Sequence, residues 1–160
     1  MNALSNSLLV PNVNFTIEQN SKELVSILKT ILADTNELFL KSNNLLELLL
    51  GPAYAEARLE VENCCNELTL TLPLFYEAML NANLDASKIA CSLQLFATPK
   101  YTGWIDRVRE LTTIHQKIRI NILSVFMNFN ELDFPEVFKY LKIRLAIHEK
   151  YIWNFRAQLD

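Results

Sequence analysis

An all-α bundle of four long helices with one long crossover is the fold that the sequence predicts. Three observations lead there. Apolar residues recur at spacings of three and four along four separate stretches, the period of a one-sided helix. Hydrophobic residues make up 51% of the chain while glycine occurs only twice, a balance suited to a compact helical protein. A long, weakly patterned segment separates the second stretch from the third. At 160 residues the chain has the size of one ordinary domain and can bury a core without disulfides or metals.

The first helix is predicted from about Ile17 to about Leu49, with Leu24, Leu28, Ile31, Leu32, Thr35, Leu38, Phe39, Ser42, Leu45 and Leu46 on one face. It ends in "SNNLLELLLGP", Ser42 to Pro52. There Gly51 is expected to take a left-handed cap conformation and Pro52 to open the next helix. The second helix carries Tyr54, Ala57, Val61, Cys64, Cys65, Leu68, Leu72, Phe75, Tyr76 and Met79, with a kink or local break expected at Pro73. The crossover that follows contains Ile89, Leu93, Leu95 and Phe96, which suggest a short helix within it. The third helix takes up Trp104, Ile105, Val108, Leu111, Ile114, Ile118, Ile122, Val125 and Phe126. Asp133 and Glu136 then stand in capping-box spacing. The fourth helix carries Val137, Phe138, Leu141, Leu145, His148, Tyr151, Ile152 and Phe155. Two helices, a long crossover and two more helices give the order of a ferritin-like bundle. The expected organisation is one domain over residues 1–160 with residues 1–16 as an N-terminal tail.

Composition excludes several functions. The formal net charge of -3 argues against a constitutive nucleic-acid binder, which needs clustered Lys and Arg to neutralise phosphates. Lys139, Lys142, Arg144 and Lys150 alternate with apolar residues and read as a solvated helix face. The leucine run is too short to span a bilayer. The N-terminus lacks the positive charge of a secretory signal, so a cytoplasmic protein is expected. Cys64, Cys65 and Cys91 have neither a C-x-x-C spacing nor clustered histidines beside them and read as reduced core or interface thiols. His115 and His148 lack a glutamate three residues earlier and read as hydrogen-bonded structural or surface residues.

Separated motifs carry a resemblance. Leu32-Ala33-Asp34, Leu38-Phe39, Lys41, Asn44, Gly51-Pro52 and Tyr54 in the first half, with Trp153 and Arg156-Ala157 near the end, are similar in order and helix register to the Dps family. These are the mini-ferritins named for DNA-binding proteins of starved cells. The likeness extends from about Leu24 to Leu159. It implies a four-helix subunit with a short crossover helix, pairing as a dimer and assembling into a dodecameric cage. It also implies ferroxidase activity, storage of iron as protection against oxidative stress, and in some members a coat on DNA.

Carried over position by position, that activity has lost much of its chemistry here. Of the iron-ligand positions, the first histidine is replaced by Leu46, with Glu47 at the neighbouring tryptophan position. The second histidine is replaced by Arg58 and an aspartate by Pro73, while Glu62 and Glu77 keep carboxylates. Glu62 and Glu77 are separated by about 22 Å along one helix, so they could share a metal only across a subunit interface. Leucine and proline offer no ligand atom and arginine repels a cation. Arg58, one turn before Glu62, is expected to pair with it instead. The resemblance places Lys139 at the three-fold pore, where the family often has an acidic residue, and a cation there discourages cation entry. Met1 to Gln19 contains no basic residue, so the DNA-binding tail is missing. The expectation is a shell, interaction or co-assembling subunit, in the last case alongside a paralogue, without a cofactor. The alternative is an active iron-storing cage with a rebuilt site.

Overall fold

The computed structural model describes residues 13–84 and 103–159, with side chains from residue 18 onward. The N-terminal residues 1–12 and the crossover positions Ile89, Cys91, Leu93, Leu95 and Phe96 lie outside them. Four long helices account for most of the described chain, and no strand occurs among these residues. They are α1 (Val13–Leu46), α2 (Ala55–Asn81), α3 (Trp104–Asn128) and α4 (Pro135–Ala157). No helix among the described residues is long and apolar enough to cross a membrane.

Each helix packs against two neighbours, in the order α1, α2, α4, α3 around the bundle. Polar contacts fix the directions. Asp34 meets Lys117 while Lys41 meets Glu110, so α1 and α3 are antiparallel. Thr71 meets Arg144 while Glu60 meets Asn154, so α2 and α4 are antiparallel. With the two hairpins antiparallel as well, α2 and α3 are parallel and diagonal. The end of α2 and the start of α3 therefore lie at opposite ends of the bundle.

The periodic positions form the core. Leu24, Leu28, Leu38, Leu45, Cys64, Ile118, Ile122, Val125, Leu141 and Tyr151 are fully buried, and each aliphatic side chain so buried contributes roughly 1.5–3 kcal/mol. One expected core position, Ile105, is instead exposed in the first turn of α3. At the helix ends the structure corrects three expectations. Gly51 has φ 94° and ψ 167°, an extended positive-φ conformation open essentially to glycine alone, rather than the left-handed helical cap. Pro52 begins a single 3-10 turn, Pro52–Tyr54, before α2 starts. Asp133 does not cap α4: the N-cap is Phe134, without a side-chain cap bond. Pro135 is pre-set for the first helical position and so fixes the start one residue later than the capping box requires. The Phe134 ring is buried against Phe129 instead.

Pro73 does not break α2, which runs continuously through it. Its ring lies on the solvent side of the helix, where water can reach the carbonyl that the missing N–H would have served.

Candidate functional site

Two regions hold the residues that could do chemistry. The first is a polar chain at the centre of the bundle, built from all four helices. Thr35 comes from α1, Cys64 and Thr71 from α2, His115 from α3, and Arg144 and His148 from α4, and all are buried. Arg144 and His148 sit one turn apart on the inward face of α4, in the same register as Leu141, Tyr151 and Phe155. Arg144 therefore corrects the expectation of a solvated basic face, whereas Lys139, Lys142 and Lys150 are exposed.

Arg144 directs every bond in the chain. Thr71 and Thr35 each donate their hydroxyl proton one turn back, to the carbonyls of Glu67 and Ile31, which leaves lone pairs free toward the core. The guanidinium donates to Thr71 Oγ1 at 2.6 Å and to Thr35 Oγ1 at 3.3 Å. It also reaches His148 Nε2 at 2.9 Å. Because arginine can only donate, His148 Nε2 accepts, and the neutral ring carries its proton on Nδ1. That proton points at His115 Nδ1, 2.8 Å away. His115 Nδ1 thus accepts, and its own proton lies on Nε2, directed at Cys64 Sγ at 3.6 Å. The protonation of both rings is set in series from one cation.

Electrostatics agree with this pattern. Burial first, and the Arg144 charge second, hold His115 down to about 3. The same two causes, with His115 in addition, hold His148 well below its usual value. Burial pushes the Cys64 thiol far above the ordinary range, and the neighbouring Cys65 adds to this. Cys64 is therefore a neutral thiol whose sulfur accepts a hydrogen bond from His115 Nε2–H, not a thiolate nucleophile. Aromatic rings close the site: His115 stacks on Tyr151 at 5.6 Å and meets the Phe155 edge. Among the described residues no carboxylate is bonded to Arg144, and its Nε, like Ser42 Oγ and Tyr151 Oη, is buried without a well-formed hydrogen bond. Glu67 supplies part of the opposing field, but its Oε1 is engaged by Lys150 at 2.6 Å.

The chain resists a metal. An ion between Cys64 and His115 requires a lone pair on His115 Nε2. The proton would then sit on His115 Nδ1, His148 Nδ1 would become the acceptor, and His148 Nε2–H would face the Arg144 N–H. Among the described residues no group of three or more His, Cys, Asp or Glu side chains is placed to hold a metal ion.

The second region is the corner between α1 and α2, which holds Leu46, Arg58 and Glu62, three of the five positions that the resemblance marks as iron ligands. Arg58 Nε pairs with Glu62 Oε1 at 2.8 Å, the pairing expected from their spacing. The same guanidinium donates to the carbonyl of Leu46 at 3.0 Å and to that of Leu49 at 3.3 Å. These are among the last carbonyls around the C-terminus of α1, where intrahelical partners run out and a cation is favoured. Arg58 thus works as a C-terminal clamp. Leu46 itself is half-buried, while Leu45 and Leu49 fill the core beneath it. These residues do not fit an iron centre, because a guanidinium stands between Leu46 and Glu62 and neither Leu46 nor Pro73 has a side-chain donor.

Glu77 lies far along α2 from Glu62, exposed at the opposite end of the bundle. It lines a shallow groove of about 120 Å³ with Glu136, Lys139, Tyr140 and Ile143. Two positions singled out in the sequence, Glu77 and Lys139, are therefore brought together, and they meet at a groove between α2 and α4. The buried chain was legible only in part: Thr35, Cys64 and His148 fall on the expected core faces and both histidines are hydrogen-bonded as expected, whereas the burial of Arg144 and the linkage between helices were missed. The signal for Arg144 was present in the spacing Leu141, Arg144, His148, Tyr151, Phe155, which puts the arginine and the histidine on the core face.

Comparison of the chain with family models, curated proteins and solved structures returns no match.

Proposed function

We propose that this chain is an architectural subunit, a ferritin-like bundle of the Dps kind that associates with itself or with a paralogue and has given up iron oxidation and DNA binding. The observation that carries this reading is the solvent face of α2. There Leu59, Leu70, Leu74 and Leu80 are 56%, 73%, 42% and 64% exposed, on a helix whose opposite face is already packed. Four large aliphatic side chains on one outer face are what an assembling subunit keeps and a free monomer avoids. The antiparallel order of neighbouring helices, with α2 and α3 parallel across the diagonal, supports the ferritin-like part. Arg58 in its clamp, at a ligand position of the resembled family, supports the loss of ferroxidase activity.

Light scattering after size exclusion tests the reading. A mass at an even multiple of 18.5 kDa is expected, and a concentration-independent monomer would overturn it. Ferrous iron followed by peroxide is expected to give no ferric absorbance saturating at a fixed iron count per subunit. Such saturation would instead establish the active iron-storing alternative.

A further inference from the structure

Independently of how subunits associate through α2, we infer that the outer groove between α3 and α4 docks an acidic, partly apolar helix of another protein. The groove lies on the side of the bundle away from the α1–α2 pair. It encloses about 480 Å³, the scale at which a protein surface takes a specific ligand. The nearly buried Ile152 lies at its base, and Trp153 and Ile120, 73% and 62% exposed, stand beside it. Arg119, Glu149 and Arg156 supply the charged lining.

Charge and spacing select the occupant. Apart from the buried Arg144, α3 and α4 carry eight basic and four acidic residues, whereas α2 carries one basic and five acidic. The net charge of -3 thus hides a positive side, which steers a negative partner toward α3 and α4 and away from α2. Within the groove Glu149 is held by Arg119 Nε at 3.0 Å, which leaves the two terminal nitrogens of that guanidinium for a further carboxylate. Among the described residues no carboxylate pairs with the exposed Arg156. Glu149, Ile152, Trp153 and Arg156 share one stripe of α4. Arg119, at the level of Glu149, and Arg156 therefore flank Trp153 about 10 Å apart along the groove. Two turns of a helix span that distance, so carboxylates seven residues apart reach both guanidiniums, and leucines midway between them cover Trp153 and Ile120. Tryptophan and arginine together are the residues on which binding energy concentrates at interfaces. A continuous run of phosphates would instead meet Glu149 inside the groove, which disfavours nucleic acid there.

Fluorescence anisotropy on the full chain tests the groove with a labelled helical peptide of alanine and glutamine that carries two glutamates seven residues apart and two leucines between them. The peptide is expected to bind, more weakly as salt is raised, and at least about tenfold more weakly to Trp153→Ala and to Arg156→Gln. Lys142→Gln removes the same charge from α4 outside the groove and is expected to change binding less than about twofold. Exchanging the peptide's glutamates for glutamines is expected to abolish binding. Circular dichroism checks that each variant keeps its helices. No binding of the glutamate peptide, equal binding of its glutamine version, or equal losses in Arg156→Gln and Lys142→Gln would overturn the inference. So would tighter binding of a single-stranded oligonucleotide, which would make nucleic acid the occupant. A changed subunit number in Trp153→Ala would overturn it too, by making the occupant a second copy of this chain. None of these results touches the architectural reading, which stands or falls on the mass of the unaltered chain.

Discussion

The buried chain around Arg144 and the clamp around Arg58 use the same side chain for opposite ends. Arg144 is fully buried and among the described residues binds neutral acceptors alone, two hydroxyls and an imidazole, so its value lies in ordering the atoms around it. Arg58 is part-exposed, binds a carboxylate and two helix-end carbonyls, and has water as an alternative for every partner. The comparison teaches that the cost of losing an arginine here is set by what its partners can do without it. In the core, a lone pair or an N–H left bare has no substitute and costs about 1–3 kcal/mol each. At the corner, solvent replaces the guanidinium at little cost.

The sharpest way to break the comparison is to cut the buried chain. His148→Ala removes an acceptor from Arg144 and the donor to His115 Nδ1, and opens a cavity. A loss of about 3–5 kcal/mol in urea unfolding is expected; a loss under 1 kcal/mol would mean that the polar chain carries no stability.

Acid titration sharpens the same half. Both histidines have folded pKa values depressed below the unfolded value near 6.5, so the unfolded chain binds more protons between the two. Their stabilising contribution is complete above about pH 7 and is lost as pH falls toward the folded values, at about 1.4 kcal/mol per pH unit for each histidine. Denaturant midpoints measured from pH 7 to pH 4 are expected to show this fall, with a shallower slope in His148→Phe. An unchanged slope in that variant would count against it.

The corner is expected to respond less. Gly51→Ala places a side chain in a conformation reserved for glycine, with nothing among the described residues within 4 Å of the added carbon. The cost is therefore backbone strain alone, about 1–3 kcal/mol. Thermal unfolding of this variant alongside an exposed helical control checks it. Arg58→Ala is the smallest effect, under about 1 kcal/mol. A loss comparable to that of His148→Ala would erase the distinction between the two regions.

Much of the fold was legible in the sequence because helical periodicity reports burial directly. Leu24, Leu28 and Leu38 in α1, and Ile118 and Ile122 in α3, needed only their spacing. Helix ends were less legible because they depend on single backbone angles. Gly51 was recognised as a corner but not as an extended one, and the capping box at Asp133 lost to the proline two residues on. The site was least legible. Charge alone sent Arg144 to the surface, although its register with His148 pointed inward, and the meeting of His115 with His148 joins residues from different helices. Arg58 with Glu62 was legible because their partnership is local, one turn along a single helix.

The central claim is that one buried cation fixes both histidines as neutral, oppositely protonated rings, leaving neither free to hold a metal. Long-range nitrogen–proton NMR of the histidine side chains tests it most directly. The account predicts His148 protonated on Nδ1 and His115 on Nε2, both neutral from pH 8 to pH 5 and unchanged by added ferrous or zinc ion. Reversed tautomers, an imidazolium signal in that range, or a shift of either ring on adding metal would contradict it.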